Sequence, residues 1–341
     1  MVSYRDYIDD RTKSRRHKST IGKDKSTVLH EDLLRDGDFI FNPETPPHER
    51  YPVYSNFLKV NYGDPYEVLE WDSTDSEEQF FENLKNPISL KTLKKFGYLE
   101  NPILYKFNSL GFRSEELTPK KGLVTLGCSF TFGTGLHLEE TWGYKLASKL
   151  NLPHYNLGRP GSSIDTAFRF LLMYHDKINI DTVAIFTPNI QRREEAGEFV
   201  INPLKKNPEY HYLNLGWWAS NYFEDKDLNK KYNYIDKFKD SVFLSTPSSR
   251  LNYIKTLYAI KHLCDKNNYK FIDVQVENIR SYLNYLLYDD KDPNLSPLCG
   301  ARDLKHWSKE THDFIAEIFY NELTNNNKIV DPSEYGLHKN I

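Results

Sequence analysis

Between Gly122 and Leu323, short apolar runs alternate with longer stretches in which apolar residues recur every three or four positions. Leu123-Val124-Thr125-Leu126, closed by Gly127, reads as a buried strand. A helix is predicted over 139–150, with Thr141, Trp142, Leu146 and Leu150 sharing a side, and then a short strand over 154–157. Ser162 or Ser163 can cap a helix that runs through Phe170 and Tyr174. An apolar strand follows over 182–186. After it come a helix over 250–266 with Leu251, Ile254, Leu257, Tyr258 and Cys264 on one face, and a strand over 271–276. The last helix covers 308–323 and turns Ile315, Ile318, Phe319 and Leu323 inward. Strands alternating with helices predict an α/β sandwich, a parallel sheet covered on both faces.

Outside this region the pattern weakens. Residues 1–30 carry eight Lys/Arg against four Asp, a net +4, with little apolar periodicity, and read as an exposed basic arm. Residues 31–100 mix turn signals (Asn42-Pro43, Pro46-Pro47, Gly63-Asp64-Pro65) with an acidic stretch over 67–82 and a short basic helix near 90–95. No chemical motif stands out there. The segment 194–249 is too long for an ordinary connection and holds Tyr210, Tyr212, Trp217, Trp218, Tyr222, Phe223, Tyr232, Tyr234, Phe238 and Phe243. It reads as an insertion with structure of its own.

Composition narrows the class. With 341 residues, 39% hydrophobic and 27% charged, the chain is long enough for one large or two ordinary domains, and wholesale disorder is excluded. A formal charge of −3 argues against nucleic acid as a general partner. No run approaches the ~18 apolar residues of a membrane span, and the start lacks the apolar core of an export signal, so synthesis in the cytoplasm is expected. Cys128, Cys264 and Cys299 show neither C-x-x-C spacing nor disulfide-scaffold density, which argues against structural zinc. The aromatic fraction, 14%, is high, and the 194–249 insertion concentrates it.

The chemistry-bearing stretch is Leu126-Gly127-Cys128-Ser129-Phe130-Thr131-Phe132-Gly133-Thr134-Gly135-Leu136, just beyond the first strand. A serine there sits at the carboxyl end of a parallel strand, where open α/β sheets bind ligands. Thr131 in place of a second glycine separates it from G-x-S-x-G, and no Gly-Lys-Ser/Thr ending makes it a phosphate loop. Near the other end, Asp303 precedes His306 by three residues, immediately ahead of a helix. In such a turn the carboxylate can accept the imidazole Nδ1–H while Nε2 faces a serine.

These blocks together resemble the SGNH or GDSL-type serine hydrolases over residues 105–323. Asn108-Ser109-Leu110-Gly111-Phe112-Arg113 is similar to their Asn-x-x-Gly-Phe-Arg lead-in. Gly127-Cys128-Ser129-Phe130 matches their first block, with Cys128 replacing the usual aspartate, a variant similar to sequences from marine bacteria and their phages. Asn156-Leu157-Gly158-Arg159-Pro160-Gly161 matches the second, Thr187-Pro188-Asn189 the third, and Asp303 through His306 the last. The resemblance implies a flavodoxin-like three-layer α/β/α sandwich with five parallel strands, of which the pattern locates four. It implies Ser129 as nucleophile, His306 as base and Asp303 as its orienting acid. The Ser129 and Gly161 N–H groups and the Asn189 amide become oxyanion donors.

On this reading the chain comprises a basic arm (1–30), an N-terminal extension (31–104), a hydrolase domain (105–325) interrupted by the insertion (194–249), and a C-terminal tail (326–341). The implied substrate is a small ester or acylated carbohydrate, such as an O-acetyl sugar. Trp217 and Trp218 are the first aromatics expected to wall it, because such rings stack on sugar faces. Arg192-Arg193-Glu194-Glu195 reads as a solvated helix start or a charged substrate contact. Asp289-Asp290-x-Asp292-x-Asn294-x-Ser296 opens like a calcium loop but lacks the glycine and final glutamate, so no metal and no cofactor are expected. A second reading makes the chain a virion-assembly component, with the hydrolase domain as scaffold or particle-mounted esterase and protein partners bound through residues 1–104.

Overall fold

The computed structural model describes residues 65–199, 209–215, 246–288, 299–326, 328, 330–335 and 337. In chain order they form β1 (Val68–Leu69), α1 (Glu77–Lys85), α2 (Pro87–Lys95), β2 (Tyr105–Lys106), β3 (Gly122–Gly127), the single turn α3 (Ser129–Phe132) and α4 (Trp142–Leu150). There follow β4 (His154–Asn156), α5 (Ile164–Tyr174), β5 (Ile180–Thr187), β6 (Arg193–Phe199), β7 (Glu209–Leu215), α6 (Thr246–Lys266), β8 (Lys270–Gln275), α7 (Val276–Tyr288) and α8 (Lys309–Leu323).

The main sheet runs β4-β3-β5-β8 with every neighbouring pair parallel. In chain order this is second, first, third, fourth strand, so the winding reverses after β4. The crevice at the carboxyl ends of β3 and β5 is therefore the topological switch point, where such sheets bind ligands. On one face lie α4, α7 and α8, packing Trp142, Leu146, Ile279, Leu283, Ile315 and Phe319 against the sheet. The other face is covered by α5 and α6 through Ile164, Phe170, Leu171, Ile260 and Cys264. This is the expected three-layer α/β/α sandwich. Among the described residues the sheet has four strands, because the chain passes from β8 straight into α7, which the sequence pattern had not announced.

Local chemistry explains several boundaries. Thr141 caps α4 by accepting the Tyr144 N–H, so the helix expected over 139–150 divides, with a 3-10 turn at Leu138–Glu140 in front. Ser163, not Ser162, caps α5. In α6 the expected face is corrected in part: Cys264 is buried and Leu257 packs on the core as expected, but Leu251, Ile254 and Tyr258 are exposed, and Tyr253 and Ile260 are buried instead. The helix carries two apolar stripes at 3.6-residue spacing, and the inward one is chosen by Tyr253, whose hydroxyl reaches Asp273 on β8.

Three segment readings also change. Residues 193–199 form a strand of the antiparallel β6-β7 ribbon rather than a helix start, and Glu194 is buried against Arg169 and Thr166 rather than solvated. The C-terminal tail contributes Val330 and Leu337 to the core beside α7 and α8. Residues 65–104 of the N-terminal extension share a core with the site end of the sheet: Leu93, Tyr98 and Ile103 pack with Tyr105, Phe107, Phe132, Leu136 and Ala301. Position 104 is thus not a packing boundary. The basic arm, Trp217, Trp218 and positions 289–298 lie outside the described residues. No helix among the described residues is long and apolar enough to cross a membrane.

The turn after β4 passes so close to α3 that a Cβ at Gly158 would sit 2.6 Å from Phe132 N and 2.9 Å from Thr131 C. Both are backbone atoms that cannot swing away. Gly158→Ala is expected to destabilise the chain by about 1–3 kcal/mol. Urea unfolding would show this as a lower midpoint at unchanged slope.

Candidate active site

The strand β3 delivers its serine through a turn only glycine allows. Gly127 has φ +148°, and a Cβ there would lie 2.5 Å from the Phe186 carbonyl oxygen and 2.3 Å from Thr131 Oγ1. Cys128, buried, precedes the single turn α3, which Gly133 closes in the left-handed conformation by donating to the Ser129 carbonyl at 2.8 Å. The loop after β4 ties back to this turn: Arg159 N and Ser162 Oγ both donate to the Gly127 carbonyl, at 3.0 and 2.7 Å. Ser129 is thereby fixed at the switch point.

Arg113 holds the far end of the turn. Its guanidinium is buried and donates to the carbonyls of Phe132 (3.0 Å), Gly133 (2.6 Å) and Leu136 (2.6 Å), while its plane packs over the Tyr105 ring at 4.4 Å. The lead-in motif explains how it gets there. Asn108 Oδ1 accepts the Leu110 and Phe112 N–H groups across a turn that needs Gly111 at φ +74°. Phe112 then packs edge-on against Phe170 and Tyr174, and Arg113 points the opposite way into the loop that carries Ser129.

The turn carrying Asp303 and His306 meets Ser129 from across the sheet end. His306 Nε2 lies 2.7 Å from Ser129 Oγ, and His306 Nδ1 lies 2.6 Å from Asp303 Oδ2. An ionised carboxylate can only accept, so Nδ1 carries its hydrogen and Nε2 is left to accept from the serine hydroxyl. Asp303 Oδ1 accepts the Lys305 and His306 N–H groups at 3.0 Å each, and its Oδ2 also accepts the Thr74 hydroxyl at 2.7 Å. Burial alone would raise the Asp303 pKa. The His306 charge and the hydrogen bonds from His306, Thr74 and the Lys305 amide outweigh it, bringing the pKa down to about 2.

The other sequence-predicted residues stand as follows. Gly161 sits in the loop after β4 at φ +73°, with open space where a Cβ would be. Neither its N–H nor that of Ser129 has an acceptor among the described residues. Asn189 follows the end of β5; its Oδ1 accepts the Gln191 N–H at 2.8 Å, and its amide reaches Glu277 at 3.5 Å, the outer limit of a hydrogen bond. His154 and His312, both buried, are pushed down to about 3 by burial, so they stay neutral; His312 Nδ1 accepts the Trp142 N–H. Among the described residues no group of three or more His, Cys, Asp or Glu side chains is arranged to hold a metal ion.

Sequence reasoning missed the ion pair beneath the site. Arg302, directly before Asp303, donates to both carboxylate oxygens of Asp75 (2.9 and 2.7 Å) and to the Glu70 carbonyl, and stacks on the Trp71 ring at 4.0 Å. Tyr105 OH donates to the same carboxylate and accepts the Gly135 N–H at 2.8 Å; the Gly135 carbonyl in turn accepts the Arg302 N–H at 2.8 Å. The partners are 227 positions apart, and no local spacing announces them.

No protein-family model matches the chain, and no curated protein aligns with it. Among solved structures it is similar to one from Desulfitobacterium hafniense, described as a presumed lipolytic protein of the G-D-S-L family. The match has 15% identity, covers 59% of this chain and 98% of that one, and superposes with a TM-score of 0.27. A likeness that loose says nothing of activity, which has to come from the geometry of the site itself.

Two outcomes are expected. Asp75→Asn leaves the buried Arg302 without its counter-charge and should lower unfolding stability by about 3–5 kcal/mol, measured by urea denaturation. For Asp303 the folded pKa, about 2, lies below the ordinary value of about 3.9, so its ionised form stabilises the fold above pH ~4 and that stabilisation is lost as pH falls through about 2. The stability difference between wild type and Asp303→Asn should therefore shrink by about 2 kcal/mol over that window.

Proposed function

We propose that this protein is a serine esterase of the SGNH/GDSL kind, hydrolysing a small O-acyl ester such as the O-acetyl group of a carbohydrate. The observation that carries the reading is the continuous relay from Ser129 Oγ through His306 to the buried Asp303, with links of 2.7 and 2.6 Å. A role as scaffold alone, for instance in virion assembly, predicts Ser129 and His306 out of hydrogen-bond reach. The relay favours chemistry.

In the proposed mechanism Ser129 Oγ attacks the ester carbonyl while His306 Nε2 takes its proton. Asp303 holds the imidazole tautomer and stabilises the imidazolium as it forms. Charge develops on the carbonyl oxygen, and the Ser129 and Gly161 N–H groups are proposed to receive it, together with Asn189 once its amide leaves Glu277. His306 then returns the proton to the departing alkoxide, giving alcohol and acyl-Ser129. Water, deprotonated by His306, attacks the acyl group and releases the acid. Trp217 and Trp218 are proposed as substrate-facing rings. The acetyl-carbohydrate choice rests on the family resemblance.

Ser129→Ala is expected to abolish turnover of a short-chain aryl ester, by at least about 1,000-fold, and to abolish covalent capture of a fluorophosphonate probe, while the circular dichroism spectrum is unchanged. Turnover by Ser129→Ala near the wild-type rate would sink the assignment.

A further inference from the structure

Residues 72–75 sit directly against the acid end of the relay. Asp72 and Asp75 exchange backbone hydrogen bonds at 2.9 and 3.0 Å, and Ser73 between them adopts φ +56°, a left-handed conformation that a side chain disfavours. The turn is kept in this shape from outside. The Asp75 carboxylate is gripped by Arg302 and Tyr105, and Arg302 is covered by Trp71. The same residues therefore fix the N-terminal turn and the residue preceding Asp303.

At the tip of this turn Thr74 is exposed, yet its hydroxyl does not point to water. It donates to Asp303 Oδ2, whose side chain has 0% exposure, from 229 positions away. That oxygen also accepts His306 Nδ1. Backbone amides occupy Oδ1, so the two oxygens have separate donor sets and the carboxylate plane is held about a torsion that is otherwise soft.

We infer that Thr74 is a positioning residue for the reaction: its hydroxyl fixes Asp303 Oδ2 in line with His306 Nδ1, and the turn of residues 72–75 is a working wall of the site. The inference rests on the esterase reading of that site. The alignment matters most when His306 becomes an imidazolium, that is, in the transition state and not in the bound ester. Its loss should therefore reduce kcat and leave KM unchanged.

The test uses the full chain carrying Thr74→Val, which keeps the shape and removes the hydroxyl, and Thr74→Ser, which restores it. With p-nitrophenyl acetate, Thr74→Val should lower kcat about tenfold, the scale of one hydrogen bond to a charged group, at unchanged KM and with an unchanged circular dichroism spectrum. Thr74→Ser should stay within about twofold of wild type on the same scale. The proton NMR resonance of His306 Nδ1–H, identified by its absence in His306→Ala, should move in Thr74→Val and return in Thr74→Ser. Wild-type kcat in Thr74→Val, equal losses in Thr74→Val and Thr74→Ser, or an unmoved resonance would each overturn the inference. If the wild-type chain turns over no ester and takes no fluorophosphonate, the esterase reading falls, and the resonance still decides whether Thr74 positions the Asp303–His306 pair.

Discussion

The site depends on the buried ion pair between Asp75 and Arg302. Two charges taken out of water must be matched to each other with good geometry, and here the fork of Arg302 meets both oxygens of Asp75 while Tyr105 supplies a further donor. Such a pair adds modest net stability compared with a well-packed apolar pair, but it tolerates no half-formed alternative, since one partner alone is a buried charge. It therefore acts as a register pin. It holds residues 70–75 against the turn that begins at Arg302, and that alignment brings Thr74 to Asp303.

Ser129 is pinned by a different device. Gly127 lets β3 end in a turn that a side chain would block, and Arg113 collects the carbonyls of Phe132, at the end of the short α3, and of Gly133 and Leu136 in the loop beyond it. Both devices converge on Tyr105, whose ring packs under Arg113 and whose hydroxyl joins Asp75 to Gly135. A single side chain from β2 thus touches the supports of both the serine and the histidine. Residues 65–104 and the α/β sandwich consequently pack together at the site.

How far this was legible in the sequence follows from the range of the interactions involved. The strands β3, β4, β5 and β8 and the helices α5 and α8 show in local apolar spacing, because each is decided by its own burial. Ser129, Asp303 and His306 show because glycine-rich turns and the Asp-x-x-His spacing are local too. The face of α6 shows only in part: Leu251, Ile254 and Tyr258 recur at helical spacing just as Tyr253, Leu257, Ile260 and Cys264 do, and contacts across the fold, Tyr253 with Asp273 among them, bury the second stripe. Thr74 and Asp75 were invisible for the same reason. Within residues 67–82 they look like any polar surface, and their meaning comes entirely from Arg302 and Asp303.

Asp273 shows why residue type alone would not have located the acid of the relay. It is half-buried near the carboxyl end of β8, and it has two strong side-chain donors, Thr187 and Tyr253. Those donors are neutral hydroxyls. They do not offset the loss of water, and the Asp273 pKa rises to about 6, whereas the His306 charge, with the hydrogen bonds from His306, Thr74 and the Lys305 amide, brings Asp303 to about 2. A carboxyl that takes up a proton near pH 6 is a weak counter-ion for an imidazolium formed at neutral pH. One that stays ionised through the whole physiological range can hold the neighbouring histidine in a single tautomer, so environment gives the two aspartates different capacities.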